Sequence, residues 1–473
     1  MTAEVADNVL STLRPDGSRR WLRPRLSHGR HLTARRIVAY FLMGLFLALP
    51  FLHVNNKPAV LLDIVHRRFT LFGYTFLPTD TILLAFTMLF IFVSIFLFTA
   101  LFGRLWCGWA CPQTVYMEFL YRPLERLFEG TARRGGPPVR DRAWGKVAYF
   151  FAAFLVTAIP AHTFLAYFVG VDALSHWMRQ SPVEHPTAFL VMAATVSLMM
   201  FDFYWFREQM CLIACPYGRF QSVLLDQWSR IVSYDKRRGE PRGKLHRSVT
   251  LPLAEGGSAA GDCIDCHMCV ATCPTGIDIR DGLQMECINC TQCIDACDAV
   301  MTRINKPRGL IRYSSQAAVQ GDKPAKFRPR LVFYPVILLI LAIAWLLIFS
   351  NKGTADITLL RNYGNPFTRL ETGRIASPIR LKITNRSDVE SRYVFDLPQM
   401  PDATIDLPDT AITVPANESR TVAFEVELPP EAFHMGVYDG TLHITNNRDF
   451  SRELTVRLLG PFSSGEEPGH DRN

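Results

Sequence analysis

Eight cysteines fall in one short stretch, Gly261 to Asp298, which reads GDCIDCHMCVATCPTGIDIRDGLQMECINCTQCIDACD. They stand at 263, 266, 269, 273, 287, 290, 293 and 297, so the spacing C-x2-C-x2-C-x3-C occurs twice. Soft thiolate sulfur is what iron–sulfur clusters select, and three thiolates two residues apart let a tight loop wrap one face of a cubane. Two such runs hold two [4Fe-4S] clusters, the fourth cysteine of each run ligating the other cluster. The spacing therefore assigns Cys263, Cys266, Cys269 and Cys297 to one cluster, and Cys287, Cys290, Cys293 and Cys273 to the second. Zinc ribbons use C-x2-C pairs with longer gaps between them, and disulfides are disfavoured on a cytoplasmic face. Pro274 bends the chain away after the first run; Asp298 stands at the equivalent place after the second and leaves that turn in doubt.

The other four cysteines repeat as pairs. One pair lies in Leu105-Trp106-Cys107-Gly108-Trp109-Ala110-Cys111-Pro112, the other in Gln209-Met210-Cys211-Leu212-Ile213-Ala214-Cys215-Pro216. Each reads C-x-x-A-C-P, follows an apolar block and is preceded by an arginine, Arg104 or Arg207. On a helix, residues i and i+4 share a face, so the two pairs together would offer up to four thiolates to a soft ion such as Cu(I) or to another iron–sulfur centre. Packing of helix ends by small apolar cysteines is the plainer alternative. The stretches after the motifs, QTVYMEFLYRPLERLFE and YGRFQSVLLDQWSRIV, read as amphipathic helices on the membrane surface.

The elements that must carry these residues are membrane spans. Of 473 residues, 49% are apolar and 20% charged, so the apolar residues must be concentrated in blocks. Five blocks, near 37–54, 81–103, 147–170, 187–206 and 331–349, each approach the roughly 20 residues that cross a bilayer. Arginine crowds the segment before the first block, the 104–146 connection (Arg122, Arg126, Arg133, Arg134, Arg140, Arg142, Lys146) and the 207–330 region, whereas 55–80 and 171–186 carry few. The positive-inside rule then makes the N-terminus, the motif ends and the cysteine-rich segment cytoplasmic, and sends the chain beyond Ser350 to the other side. The net charge of +8 follows from that topology, and no nucleic-acid partner is expected. All twelve cysteines lie between 107 and 297, which excludes an extracellular disulfide scaffold.

Other polar residues sit in or near the blocks. His53 and His162 paired across helices would suit a b-type haem, but histidines snorkelling to water are commoner, and haem is not expected. Asp202 and Arg207 read as a local ion pair. Residues 1–36 read as a basic, disordered arm, 236–247 as a solvated charged face beside lipid, 250–261 as a linker, and 305–330 as a tether to the last span. From about Thr354 the pattern alternates in short runs such as PIRLKITNRS and AFEVELP, separated by turn residues, and predicts an immunoglobulin-like β-sandwich without cysteine. Asn385 and Asn417 read as turn residues there, and 463–473 as disordered.

The fold class is thus a multi-domain α-helical membrane protein of five spans, with a cytoplasmic 2x[4Fe-4S] ferredoxin module and a C-terminal all-β sandwich. Its segments are a basic arm (1–36), a four-span core (37–206), a cytoplasmic segment (207–330) with the ferredoxin module at 261–298, a fifth span (331–350) and a periplasmic domain (351–473). With its CGWACPQ and CLIACPYGRFQ segments, the chain resembles the cbb3-type cytochrome oxidase accessory family called CcoG, FixG or RdxA, over about residues 35 to 460. The resemblance implies a protein of the bacterial inner membrane that reduces Cu(II) to Cu(I), a metalloreductase, with the oxidase or its copper-delivery proteins as partners. It implies cluster ligation by the eight ferredoxin cysteines and a copper or electron-exit site at Cys107, Cys111, Cys211 and Cys215. A cytoplasmic donor or membrane quinol would supply electrons; lipid and a second copy of the chain are further expected partners. A NapH- or NosR-like subunit moving electrons from quinol to periplasmic reductases, and a non-redox assembly scaffold, are the alternatives.

Overall fold

The computed structural model describes residues 11–12, 16, 18–130, 143–244, 261–322, 328–360, 364–398, 400, 402–407 and 411–461. The first ten residues of the arm, Arg133, Arg134, Arg140 and Arg142 of the 104–146 connection, the linker at 250–260, Lys323-Pro324 and the tail at 463–473 lie outside them.

Five helices are long and apolar enough to cross a membrane: Arg30–Phe51, Pro78–Phe102, Ala143–Val169, Pro186–Phe206 and Arg330–Ser350. The second and fifth carry no charge between Thr81 and Phe102 or between Leu331 and Ser350, and present large apolar residues such as Met88, Phe92 and Leu339 outward. Water would penalise such exposure and hydrocarbon does not. The first helix starts at Arg30, before the expected block, because the Asp295 carboxylate accepts from the backbone N–H of Leu32 at 2.8 Å and of His31 at 3.3 Å. Those are orphan donors of a helix N-terminus, met here from far along the chain.

The chain divides into two compact units. In the first, the segment after the first thiol motif is helical through Pro112–Tyr116, a π turn at Met117–Tyr121 and Arg122–Glu129. It does not lie on a surface as expected. Met117 and Tyr121 pack with Tyr149, Ala153 and Ala161 of the third span and Val196, Met200 and Phe203 of the fourth. Ala153, Thr157 and Ala161 are fully buried, and such small residues let helices approach closely. Its polar face is buried too, and Arg122, Glu125 and Glu129 form ion pairs there.

The arm is likewise ordered over its described part from residue 18. Arg23 pairs with Glu125 at 2.9 Å and Glu129 at 2.7 Å, the Arg25 N–H donates to the Ala271 carbonyl at 2.8 Å, and Ser27 bonds Thr272 at 2.9 Å. The tether is partly structured: Ile311–Ser314 pairs antiparallel with Ile231–Tyr234, and a short helix spans Gln316–Gln320. Short strands also occupy the 55–80 connection.

The second unit holds two antiparallel sheets. One orders Thr404–Asp406, Ser419–Leu428, Ile375–Asn385 and Ala355–Leu360, with Thr368–Arg369 on Ile375–Asn385; the other orders Ile412–Val414, Ser391–Asp396, Val437–Asn446 and Ser451–Leu459. Alternation in Ser391–Asp396 buries every second residue, and Leu381, Ile383, Tyr393, Val414, Val426, Leu442 and Ile444 form the core. Asn385 is fully buried, its amide donating to the carbonyls of Val389 and Val414 at 2.8 and 3.0 Å, and Asn417 holds a left-handed turn.

Candidate functional site

The cysteine segment has little regular structure beyond Met268–Ala271, a 3-10 turn at Ile279–Asp281 and the helix Gln292–Arg303. Its shape comes from a repeated backbone device. Asp265 (φ 52°) and His267 (φ 54°) flank Cys266, and Asn289 (φ 54°) and Thr291 (φ 63°) flank Cys290. Two left-handed residues around one cysteine coil the chain tightly, so thiols spaced by two residues turn to a common side. Asn, Asp and His tolerate this region, whereas β-branched Thr291 is strained in it. No proline is needed after the second run, because Asp298 stays within the helix and its carboxylate accepts from the Gly309 N–H at 2.8 Å.

Two small cavities result. One is lined by Cys263, Cys266, Cys269 and Cys297 with Tyr234, Ile264, Met301, Leu310 and Ile311. The other is lined by Cys273, Cys287, Cys290 and Cys293, together with Cys269, and by Val232, Ile277, Ile279 and Ile288. The helix Gln292–Arg303 carries Cys293 to one cavity and Cys297 to the other. Burial pushes the thiols of Cys269 and Cys297 up to about 12. Beside the first cavity Arg280 clamps Asp265 and Asp278, both at 2.5 Å. Beside the second, the Arg35 guanidinium is almost completely buried; its Nε donates to the Gly108 carbonyl at 2.8 Å, while its Nη2 has no hydrogen-bond partner among the described residues. Arg35 acts on Cys290 and lowers its thiol against the larger upward push of burial.

The C-x-x-A-C-P motifs are built alike, and not as single helices. Cys107 lies in Leu105–Trp109 and Cys211 in the π turn Met210–Ala214, but Cys111 (ψ 127°) and Cys215 (ψ 108°) are extended. The Cys111 N–H donates to the Trp106 carbonyl at 2.9 Å and the Cys215 N–H to the Met210 carbonyl at 2.7 Å, each five residues back. Pro112 and Pro216 then open the next helix, where proline's missing donor is harmless. The shared helix face expected for each pair is therefore broken at its second cysteine.

The four thiols are close enough to act on one another electrostatically. Among the described residues no three His, Cys, Asp or Glu side chains converge on a single ion; the motif cysteines gather in one region without closing around a point, and the eight of 261–298 surround cavities, as a cubane needs. Cys107 packs with Ile288 and Cys290, and Cys211 and Tyr217 pack against them. The Cys107 thiol bonds the Gln221 side-chain oxygen at 3.2 Å, and burial pushes it up to about 11. Gly108 touches the cysteine loop so closely that a Cβ there would stand 2.5 Å from the Ile288 carbonyl oxygen and 2.9 Å from the backbone of Asn289. Arg104, almost fully buried, donates to the carbonyls of Met285, Cys287 (3.1 Å) and Gly218 (2.7 Å).

Asp202 and Arg207 do not form the expected pair. The Gln113 amide donates to Asp202 at 3.1 Å, and Arg207 turns to Glu125, at 2.7 and 3.0 Å. Around Arg207 a buried network joins Glu208, Arg122, Glu118 and Arg23. Burial raises the Glu125 carboxyl, and Arg207, Arg23 and Arg122 together pull it below the usual carboxylate range. The sequence marks the arginine before each motif but not the acidic partners of Arg207, since nothing in the spacing points to Glu125. His162 spends its Nδ1 on the Ala158 carbonyl at 2.7 Å.

Three protein-family models match. A 4Fe-4S dicluster domain covers residues 206–316, a 4Fe-4S binding domain covers 84–130, and the IG-like fold at the C-terminal of FixG covers 345–461. Protein RdxA of Cereibacter sphaeroides is 33% identical over 389 residues, 78% of this chain and 80% of that protein. Protein RdxB of the same organism is 32% identical, over 80% and 83%. Nitrogen fixation protein FixG of Rhizobium meliloti is 33% identical over 63% of this chain and 57% of its own length. With iron–sulfur domains, five apolar helices and an immunoglobulin-like C-terminal fold in one order, the chain belongs to the FixG/RdxA family.

Proposed function

We propose that this protein is a membrane-bound iron–sulfur metalloreductase that converts Cu(II) to Cu(I) for assembly of a cbb3-type oxidase. The observation that carries the reading is the packing of Cys107 and Cys211, one from each motif, against Cys290 and Ile288 of the cysteine loop. The two cavities fit [4Fe-4S] groups by their donor sets, Cys263, Cys266, Cys269 and Cys297 around one and Cys273, Cys287, Cys290 and Cys293 around the other, with Cys269 lining both, and by the unspent buried donor of Arg35 beside Cys290. When bound, such clusters supply single-electron storage and transfer.

The chain's own residues do the rest. Arg104 ties the first motif to the 285–290 loop, Gly108 lets the two backbones meet closely, and Arg35 bonds the motif from the first span, so the thiols that would receive copper stand beside Cys290, which would hold a cluster. Cu(II), the substrate, prefers nitrogen and oxygen; after gaining one electron it is a soft Cu(I) ion, which the Cys107 and Cys211 sulfurs retain and exchange to another thiolate carrier. Electron transfer to a metal needs no general acid or base. The bias of lysine and arginine supports a cytoplasmic location for the motifs and cysteine loop, and an odd number of crossings supports a periplasmic sandwich on a bacterial inner membrane.

Anaerobic purification with iron and sulfide counted per chain tests the reading. About eight irons, with Cu(II) reduced after dithionite treatment, are expected. Zinc in place of iron, or an iron-loaded protein that leaves Cu(II) unreduced, contradicts it.

A further inference from the structure

The two cysteine-lined cavities differ in what faces them. At the second, Cys290 is buried and packs with Cys107 of the first motif, and Arg104 bonds the Cys287 carbonyl at 3.1 Å, so that end of the module looks toward the spans. At the first, Cys266 is the one exposed cysteine of the twelve, and the His267 side chain beside it is 61% exposed. Among the described residues no part of a span or of a C-x-x-A-C-P motif lines this cavity. Cys269 lines both cavities, so the outward end and the inward end share a wall.

The outward charge is of one sign. Over 18–32, 236–244 and 261–314 three, four and three arginines or lysines are exposed, whereas Asp281 is the only exposed acid among the described residues there. The other acids turn inward: Asp265 and Asp278 to Arg280, Asp262 to Arg238 and Lys306, and Asp295 to the start of the first span. Two of the exposed cations stand at the rim of Cys266. The Arg25 guanidinium donates to the Met268 sulfur at 3.5 Å, and Arg242 reaches Asp281 at 3.9 Å and acts on Asp265.

These features select the occupant of the rim. Anionic lipid would answer the charge but has no use for an exposed thiol of a redox site, and a small-molecule reductant needs no steering surface. An acidic protein that carries single electrons uses both, since opposite charge guides its encounter and the exposed edge receives its electron. We propose that the Cys266 rim is the electron-entry face of the module, docking an acidic one-electron carrier protein of the ferredoxin kind, and that the Cys290 end is its exit toward the copper reduction proposed above, on which the direction of flow rests. In each encounter the reduced carrier loses one electron and the iron–sulfur group at Cys263, Cys266, Cys269 and Cys297 gains it; no covalent bond forms or breaks and no proton moves. Two encounters supply the electrons that turn two Cu(II) into two Cu(I).

The test uses the full chain, iron-loaded and free of copper, in phosphatidylcholine nanodiscs. It is mixed anaerobically with a reduced, acidic [2Fe-2S] ferredoxin, and rapid-freeze EPR follows the loss of the ferredoxin signal and the rise of the chain's own; iron per chain checks that each variant is intact. The expected result is two ferredoxins oxidised per chain, one for each cluster, at a rate that falls steeply with added salt. Arg242→Glu and Arg25→Glu/Arg242→Glu should slow that rate, the pair by at least tenfold at low salt, while reduction by dithionite is unchanged and Arg448→Glu in the sandwich behaves as wild type. A rate indifferent to salt, wild-type rates in both rim variants, or equal slowing with dithionite would overturn the entry face. So would variants that lose binding to phosphatidylglycerol vesicles and still oxidise ferredoxin at the wild-type rate, because the charge would then serve lipid. Dithionite-driven Cu(II) reduction is scored separately: its survival where ferredoxin fails leaves copper reduction standing, and its loss with ferredoxin oxidation intact removes copper reduction alone.

Discussion

The Arg104 guanidinium donates to the Cys287 carbonyl at 3.1 Å, joining the residue before the first thiol motif to the cysteine that opens the second ferredoxin run. The same side chain reaches Gly218, just beyond the second motif, at 2.7 Å. One buried cation thus ties three cysteine-bearing segments together through their backbones.

Arg104→Gln removes charge-assisted bonds to carbonyls that stay buried, at a cost of about 2–4 kcal/mol. Iron release to a chelator in mild urea should quicken by at least tenfold, with melting of the C-terminal sandwich unchanged. Iron retention equal to wild type would show that the arginine is not the clamp.

Gly108→Ala is expected to disturb the contact between the motif and the loop, because the added methyl meets backbone at Ile288 and Asn289 that cannot swing aside. Gly44→Ala is the control, since nothing lies within 4 Å of the equivalent position in the first span. A fall in thermal stability of about 2 kcal/mol or more is expected for the first and none for the second. Copper reduction should slow only in Gly108→Ala.

The Glu125–Arg207 pair gives the protein an acid limit. Because the folded carboxyl is held below its unfolded value, its contribution is complete above the ordinary carboxylate pKa of about 4.3 and is lost as pH falls through the lowered value. Glu125→Gln should flatten the fall in melting temperature below about pH 4.5. At neutral pH the same variant should be about 3–5 kcal/mol less stable, since Arg207 is left buried and unpaired. An unaltered pH profile would assign the acid limit to other groups.

Removing the clusters with ferricyanide and EDTA should unfold the cysteine segment selectively, since residues 261–291 have few hydrogen-bonded elements of their own and metal binding there is folding energy. Hydrogen exchange should lose protection over 261–300 and keep it over 375–385 and 419–428, the ladder of the cysteine-free sandwich. Retained protection in the metal-free cysteine segment would mean that the thiols are not what orders it.

Much of this was legible in the sequence. The spacing at 263–297 anticipated an iron–sulfur domain, and block lengths anticipated five long apolar helices, because thiolate geometry and bilayer thickness both act locally along the chain. Alternation did the same for the sandwich. What spacing could not carry was pairing between distant residues: Arg207 with Glu125 instead of Asp202, Asp295 capping the first span, the arm held by Glu125 and Glu129. The helix after the first motif looked amphipathic because its charged face is polar; that this face is buried in ion pairs depends on partners from two other segments, Arg23 of the arm and Arg207 with Glu208. The motif pairs looked helical by their i, i+4 spacing, but the proline after each second cysteine drives the preceding residue to extended backbone.

The central claim is that copper held by the motif thiols is reduced by electrons that the adjacent ferredoxin-like site would supply. The most direct measurement is anaerobic Cu(I) formation by dithionite-reduced protein, freed of excess dithionite, comparing wild type with Cys107→Ser/Cys211→Ser at equal iron content. The account predicts about two Cu(I) per wild-type chain, one for each cluster, and a loss of at least tenfold in rate for the variant. Equal rates and equal copper retention in the two proteins would contradict it.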